Sequence, residues 1–144
     1  VTAMAKHFIP ERRVEGSSEM RKVDRPDSVV VVAELENGAL IEYHFSGVSR
    51  LAGKVEVYGS DGSLLYYLSS HSLYKAEPGQ EDISAVPIPQ EGLRAVEADF
   101  IAAIRSGEPV WPSFYDGLKY MEFTEAVFRS ADEGKTISLP FEGY

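Results

Sequence analysis

A hydrophobic pattern that runs from Val96 to Pro140 predicts two helices followed by a short strand. The spacing of the apolar residues in the first helix is that of an amphipathic helix with one apolar stripe. Gly107 follows the last of them and Pro109 lies just beyond, which marks the end of this helix. The stripe comprises Leu93, Val96, Phe100, Ala103 and Ile104.

A second, longer helix is predicted to begin at Ser113, which can pair with Asp116 as a capping box. Glu125 and Arg129 have the spacing of a stabilising i,i+4 ion pair. Gly134 ends the helix, and the alternation from Lys135 to Leu139 predicts a closing strand. The predicted inward side holds Gly117, Tyr120, Met121, Thr124, Val127, Phe128 and Ala131, and the outward side holds Lys119, Glu122, Glu125, Arg129 and Glu133.

The first half of the chain is typical of a β-sheet. Residues 1–9 predict a strand that Pro10 ends, and the charged stretch 11–27 predicts a loop. Residues 28–46 predict a hairpin around Asn37-Gly38, the dipeptide that favours a two-residue type I′ turn. With that turn, the expected opposite pairs are Val32 and Tyr43, Val30 and Phe45 on one face, and Val31 and His44, Ala33 and Glu42, Leu35 and Leu40 on the other.

A second hairpin is predicted over residues 54–68, around the turn sequence Gly59-Ser60-Asp61-Gly62. Residues 69–90 are rich in Ser, Pro and Gly and predict irregular structure, with an edge strand between Ile83 and Ile88. Strands therefore come first and helices last. This order predicts an α+β fold with an open, mainly antiparallel sheet and two C-terminal helices packed on one face. The other face also carries apolar residues, so we expect it to be buried against another subunit or domain. We further expect the chain to form a homodimer through this face.

Composition restricts the classes of function. The 144 residues predict a single domain, 1–144, and the net charge of -9 with a pI near 4.8 argues against nucleic acid and anionic lipid as partners. The chain has no apolar run of membrane-spanning length. It has no cysteine, which excludes disulfides and thiolate metal sites and fits a cytoplasmic protein. The chain opens at Val1 within a predicted strand, so we expect that a further segment precedes it.

Signals for catalysis are few. No G-x-G-x-x-G or Walker-type loop is present, so the sequence predicts no cofactor-binding residues, and histidines 7, 44 and 71 lack metal-site spacing. The 59–62 turn is interpreted as a hairpin turn, with an anion-binding nest as the alternative. Glu42 and His44 share a strand face; they are either an acid/base or metal pair or simply a surface histidine beside a solvated glutamate.

Two loops hold the candidate binding residues. Trp111, Phe114 and Tyr115 crowd the break between the helices, where they form either an apolar plug or the wall of a pocket in which Tyr115 offers its hydroxyl. Arg50, before the second hairpin, is either an anion-binding residue or a solvated one.

Several segments, in order and with their spacing, resemble the C-terminal domain of the Gfo/Idh/MocA oxidoreductases, the family of glucose-fructose oxidoreductase and inositol dehydrogenase. They are Glu36-Asn37-Gly38-Ala39-Leu40, then Val57-Tyr58-Gly59-Ser60-Asp61-Gly62-Ser63-Leu64, and then DFIAAIRSGEPV, SFYDGL and SADEGKTISLP. The similarity extends from Val1 to Pro140.

The resemblance implies a parent enzyme that transfers a hydride between NAD or NADP and a sugar or polyol-like substrate. In the family, the cofactor and the catalytic residues belong to an N-terminal Rossmann domain and the helix after it, so this chain alone is expected to be inactive, with no catalytic and no metal-binding residue. The resemblance also implies that the open sheet serves dimerisation and roofs the substrate cleft. By position it suggests Arg50, Trp111 and Tyr115 as substrate-binding residues. The alternative is a free-standing α+β module that binds a ligand or a protein.

Overall fold

The computed structural model describes residues 1–80, 82–88 and 96–141. The secondary structure of these residues comprises β1 (Thr2–Lys6), β2 (Glu11–Arg13), β3 (Met20–Lys22), β4 (Ser28–Glu34), β5 (Leu40–Ser46), β6 (Lys54–Gly59), β7 (Gly62–Tyr67), β8 (Ser72–Ala76), β9 (Ser84–Val86), α1 (Val96–Ser106) and α2 (Phe114–Glu133).

All strand pairs among the described residues are antiparallel, and the two helices follow the strands, so the predicted α+β class is confirmed. The strands form three sheets, in the orders β1-β4-β5, β2-β3 and β6-β7-β8-β9. The chain divides into two compact units, Val1–Val48 with Glu97–Tyr144, and Ser49–Val96. Each unit is described by itself below.

The core of the first unit lies between its three-stranded sheet and α2. Ala3 of β1, Val31 of β4 and Val127 of α2 form a buried cluster, and the half-buried Phe123 packs against it. The Phe123 ring also meets Tyr43 edge to face, with ring centroids 6.0 Å apart. The sheet is therefore covered on the side of the odd-numbered residues of β1 and β4.

The register of the first hairpin differs from the predicted one by one residue. Gly38 has a φ of 82°, and its N–H donates to the Leu35 carbonyl, so that Leu35 pairs with Ala39 around a three-residue turn. Val31 consequently lies opposite Tyr43, not His44. Each β4 residue therefore lies opposite a different β5 residue from the predicted one. Because side chains alternate between the two faces of a sheet, the shift also changes which β5 side chains share a face with Val31. Val31 is on the covered face, and the outer face carries Val30 and Val32 instead.

The side of helix α2 that faces the sheet agrees with the prediction only in part. Val127 and Ala131 pack in the core, as predicted. Ala126, Val127 and Ser130 are buried there, whereas Met121 is 64% exposed and Tyr120 is also exposed. Small residues face β1, which lets the helix backbone lie close to the strand, whereas the prediction followed the largest apolar side chains. Arg129 pairs with Glu133 (Nε to Oε1, 3.4 Å) and not with Glu125.

The remaining predictions have mixed outcomes. The charged loop contains the short β2–β3 ribbon, β8 forms within the segment predicted to be irregular, and residues 135–139 are not a strand. Ile137 instead exchanges two backbone hydrogen bonds with Val1, each 2.8 Å long. The apolar stripe of α1 has no buried residue, and Leu93 lies outside the described residues.

The second unit is a four-stranded antiparallel sheet. Gly59 pairs with Gly62 across the two-residue turn Ser60-Asp61, so the second hairpin and its turn are confirmed. The predicted edge strand is also present as β9, which pairs with β8. Tyr67 and Tyr74 pack edge to face, with ring centroids 6.1 Å apart, on one side of this sheet.

Candidate functional site

The break between the two helices consists of residues 107–113, which connect the end of α1 to the start of α2. Gly107 has a φ of 73°, and its N–H donates to the Ala103 carbonyl at 2.9 Å, which terminates α1. The Trp111–Pro112 peptide bond that follows is cis. Pro112 precedes Ser113, the N-cap of α2, so Trp111 lies immediately before the start of that helix.

The start of α2 is fixed by a complete capping box, as predicted. The Ser113 hydroxyl accepts a hydrogen bond from the Asp116 N–H, and the Asp116 carboxylate accepts from the Ser113 N–H at 2.7 Å. That backbone hydrogen bond, followed by the one from the Ser113 hydroxyl, lowers the pKa of Asp116. The box therefore holds the first turn of α2, and with it Tyr115, in one conformation at neutral pH.

Tyr115, Lys119 and Glu122 follow one another along one stripe of α2, at the helical spacing i, i+4, i+7. Lys119 Nζ donates to Glu122 Oε2 at 2.6 Å and lies 5.2 Å from the centroid of the Tyr115 ring. The Glu122 side chain is only 7% exposed. A buried carboxylate thus fixes a cation beside an exposed aromatic ring, an arrangement that orients the ring through cation–π attraction.

Lys119 is held in its protonated form. The hydrogen bond to Glu122 is the main cause that raises the pKa of Lys119, and the Tyr115 hydroxyl contributes in the same direction. Because the pKa is raised in the folded state, the stabilisation by this pair is complete below the ordinary lysine value of 10.5 and is lost as pH rises through the folded-state pKa. At neutral pH the Lys119 ammonium group can therefore donate hydrogen bonds but cannot act as a base.

Replacing Glu122 with glutamine is expected to lower the pKa of Lys119 toward its ordinary value, because the principal partner of the ammonium group loses its charge. An NMR titration of the Lys119 side chain measures this shift. Glu133→Gln is the matched control, since Glu133 pairs with Arg129 and Lys135 and not with Lys119. A Lys119 pKa that is unchanged in Glu122→Gln would show that the ion pair is not formed in solution.

The structure brings two of the three predicted binding residues together. Trp111 and Tyr115 flank the start of α2, and each is 65% exposed. Phe114 between them is 91% exposed. This degree of exposure does not support the interpretation of these aromatic residues as a buried plug. Arg50 belongs to the second unit, where it is exposed in the segment before β6.

Sequence reasoning missed Lys119 and Glu122 as members of this site. Both were placed on the solvated side of α2, since charged residues at helical spacing are usually exposed. The available signal was their position four and seven residues after Tyr115, which places all three on one stripe.

Glu42 and His44 of β5 were the other candidates for chemistry. His44 Nε2 lies 3.2 Å from the Ser28 hydroxyl, and no described residue pairs with Glu42, which agrees with the plain surface interpretation of the two residues. Among residues 1–80, 82–88 and 96–141, no group of three or more His, Asp or Glu side chains is arranged to hold a metal ion. No helix in that part of the chain has both the length and the apolarity needed to cross a membrane.

Comparison with known protein families shows to which family the chain belongs. A family model described as "Oxidoreductase family, C-terminal alpha/beta domain" matches residues 3–139. The chain belongs to the Gfo/Idh/MocA oxidoreductase family. It corresponds to the C-terminal domain of these enzymes, and the resemblance seen in the sequence is thereby confirmed. No curated protein matches the chain.

Solved structures of the family have the same fold. Levoglucosan dehydrogenase in complex with NADH and L-sorbose is 25% identical, with a TM-score of 0.79 over 96% of this chain and 44% of that one. An oxidoreductase domain protein from Kribbella flavida is 22% identical, with a TM-score of 0.75 over 97% of this chain and 44% of that one. An NAD-binding oxidoreductase from Klebsiella pneumoniae is 19% identical, with a TM-score of 0.76 over 98% and 45%. The chain thus spans less than half the length of these proteins.

Proposed function

We propose that this chain is the substrate-binding and dimerisation part of an NAD(P)-dependent oxidoreductase that acts on a sugar or polyol-like substrate. The observation that carries the proposal is the family match over residues 3–139. The likeness to levoglucosan dehydrogenase, solved with NADH and a sugar, supports the cofactor and the substrate class. In this proposal an N-terminal Rossmann domain of the same protein completes the enzyme.

The sequence of this chain indicates that the cofactor binds to another domain of the enzyme. A nicotinamide dinucleotide needs a glycine-rich turn that cradles its pyrophosphate, and the sequence has no G-x-G-x-x-G segment. The cofactor, when bound to the Rossmann domain, accepts or supplies the hydride. We therefore expect calorimetric titration of this chain with NADH or NADPH to give no binding heat. Binding with a submillimolar Kd would contradict the assignment of the cofactor to another domain.

The break between the helices is the proposed substrate wall. Exposed Trp111 and Tyr115 present aromatic faces that can pack on the C–H groups of a sugar ring, and the Tyr115 hydroxyl adds a hydrogen-bonding group. Lys119, held by Glu122, keeps the Tyr115 ring in place. Arg50, in the second unit, is proposed separately as a substrate contact through its guanidinium donors. These residues bind and orient the substrate, while the chemical step belongs to groups outside this chain.

Steady-state kinetics of the whole natural enzyme test this assignment. Trp111→Ala and Tyr115→Phe are each expected to raise KM about tenfold and to change kcat far less. A tenfold rise in KM corresponds to a loss of roughly 1.4 kcal/mol of substrate-binding free energy. Arg50→Gln is expected to act in the same direction. Phe114→Ala is the matched control, because Phe114 is an even more exposed aromatic residue in the same segment. KM values within twofold of wild type in both Trp111→Ala and Tyr115→Phe would contradict the role of the helix break, and the same result in Arg50→Gln would contradict the role of Arg50.

Dimerisation is assigned to the outer face of the three-stranded sheet. Met4, Val30 and Val32 lie on this face and are exposed, with Met4 directly opposite Val30 in the ladder. An exposed apolar strip of this kind gains stability when a second copy covers it. We expect the protein to sediment as a dimer at tens of micromolar. Sedimentation as a clean monomer at that concentration would contradict the proposed interface.

A further inference from the structure

A cavity in the first unit lies where the β2–β3 ribbon meets one end of the three-stranded sheet. Its volume is about 360 Å³, and its lining includes Arg12 of β2, Arg25 of the β3–β4 connection, and Val29 and Phe45 of the sheet. This volume lies within the roughly 300–1,000 Å³ that small-molecule sites occupy. None of the residues proposed above for the sugar substrate lines it, so the cavity is a separate feature of the chain.

Asp27, which lines the cavity, is held in place by hydrogen bonds to backbone groups. Asp27 accepts at its carboxylate from the N–H groups of Phe8 at 3.0 Å and of Ile9 at 2.8 Å. The Asp27 N–H donates to the Lys6 carbonyl at 3.0 Å, and the Asp27 carbonyl accepts from the Gly47 N–H at 2.7 Å. Asp27 is thus bonded to β1 through Lys6 and to Gly47, the residue that follows β5.

The charge balance at the cavity is positive although the whole chain has a net charge of -9. Arg12 and Arg25 contribute two guanidinium groups, and neither forms an ion pair within the part of the chain that the structure describes. The one carboxylate in the lining, Asp27, already accepts two backbone hydrogen bonds. The hydrogen bond from the Phe8 N–H, followed by the one from the Ile9 N–H and the charge of Arg12, lowers the pKa of Asp27, so Asp27 stays ionised. Two arginines beside one carboxylate leave one net positive charge in the lining, and their guanidinium donors can bind an external anion.

The apolar part of the lining defines the rest of the ligand. Val29 and Phe45 are direct partners across the β4–β5 ladder, and Val23 and Pro26 add further apolar surface. The Phe45 ring stacks on Tyr43, with ring centroids 5.6 Å apart, and still leaves more than half of its surface exposed. Planar aromatic surface beside two guanidinium groups suits a molecule with a flat apolar body and an anionic end.

We propose that this cavity binds a small organic carboxylate, with its anionic group between Arg12 and Arg25 and its apolar body against Phe45 and Val29. The site is independent of the oxidoreductase function proposed above. A bidentate guanidinium–carboxylate contact supplies the specificity for an anion, and the apolar wall supplies the preference for a carboxylate with a ring or a branched chain.

Benzoate is a suitable probe because it carries one carboxylate on a flat apolar ring. Backbone amide NMR titration of the protein with benzoate is expected to show saturable shifts at Asp27, Ser46 and Gly47. Benzamide, the neutral analogue of the same shape, and acetate, the anion without a ring, are each expected to bind at least about tenfold more weakly. This comparison uses the unmodified protein and does not depend on the folding of any variant.

Arg12→Gln and Arg25→Gln are each expected to weaken benzoate binding about tenfold. Arg13→Gln is the matched control, because Arg13 neighbours Arg12 on β2, has the same charge and does not line the cavity; it is expected to change the affinity less than twofold. Any of three results would overturn the proposal: shifts that do not saturate, equal affinity for benzamide, or an equal loss in Arg13→Gln. The last result would show a general charge effect.

Discussion

Replacement of Ser130 by alanine is expected to lower the free energy of unfolding by about 2–4 kcal/mol. Ser130 is 0% exposed, and its hydroxyl joins three parts of the first unit. It accepts from the Ala3 N–H of β1 at 2.9 Å and donates to the Lys135 carbonyl at 2.7 Å. Alanine fills nearly the same space but leaves both backbone groups without this partner, and a buried polar group that loses its hydrogen bond costs about 1–3 kcal/mol.

Chemical denaturation monitored by circular dichroism measures this effect. Thr124→Ala on the same helix is the matched control, because the Thr124 hydroxyl donates only to the Tyr120 carbonyl at an exposed position. That substitution is expected to change the free energy of unfolding by less than about 0.5 kcal/mol. Equal losses in the two variants would contradict the role assigned to Ser130 in joining α2 to β1.

Replacement of Gly62 by alanine is expected to destabilise the second unit by roughly 2–4 kcal/mol. Gly62 has a φ of 129°, a conformation that residues with a Cβ rarely adopt. A Cβ at this position would also lie 2.4 Å from the Ala76 carbonyl oxygen of β8, a backbone atom that cannot rotate away. The substitution therefore strains the turn and pushes β8 away from β7 at the same time.

Gly59→Ala is the matched control for this prediction. Gly59 pairs with Gly62 across the same turn, and a Cβ there would meet its nearest atom at 3.6 Å, an ordinary contact. Thermal unfolding of the two variants is expected to show a large decrease in Tm for Gly62→Ala and a small one for Gly59→Ala. A Tm for Gly62→Ala that equals that of the control would contradict the close packing of β7 and β8.

The elements with strong local signals were predictable from the sequence. Asn37-Gly38 marked the first hairpin and Ser113 marked the start of α2, because turn and capping residues act on their immediate neighbours. The hairpin register was not predictable from the same signal. Asn37-Gly38 also suits a three-residue turn with Gly38 in the left-handed region, and the choice between the two turns depends on which strand residues the helix covers.

The side of α2 that faces the sheet was predicted only in part, since Val127 and Ala131 pack in the core but Tyr120 and Met121 do not. Periodicity reports where large apolar side chains recur, which points to Tyr120 and Met121. The observed contact depends instead on close approach, which Ala126 and Ser130 permit. The exposed Tyr120 and Met121 could therefore not be recognised from composition, because exposure is set by tertiary packing and not by the residue type.

The candidate site was partly predictable. Trp111 and Tyr115 were selected because they crowd a proline-bounded break between two helices, and the family resemblance pointed to the same segment. Their role in substrate binding stays a prediction. Lys119 and Glu122 were missed because a charged pair on a helix is most often solvated. Only the structure shows that the Glu122 carboxylate is buried and that Lys119 lies over the Tyr115 ring.

Our central proposal is that the natural protein containing this chain is an oxidoreductase for sugar or polyol-like substrates. The most direct test is an initial-rate assay of the natural protein that contains it, in which the absorbance of reduced nicotinamide is followed with a panel of sugars and polyols. The account predicts saturable reduction of NAD or NADP with at least one of them. Failure of every sugar and polyol to transfer a hydride to either cofactor, with the protein folded, would contradict it.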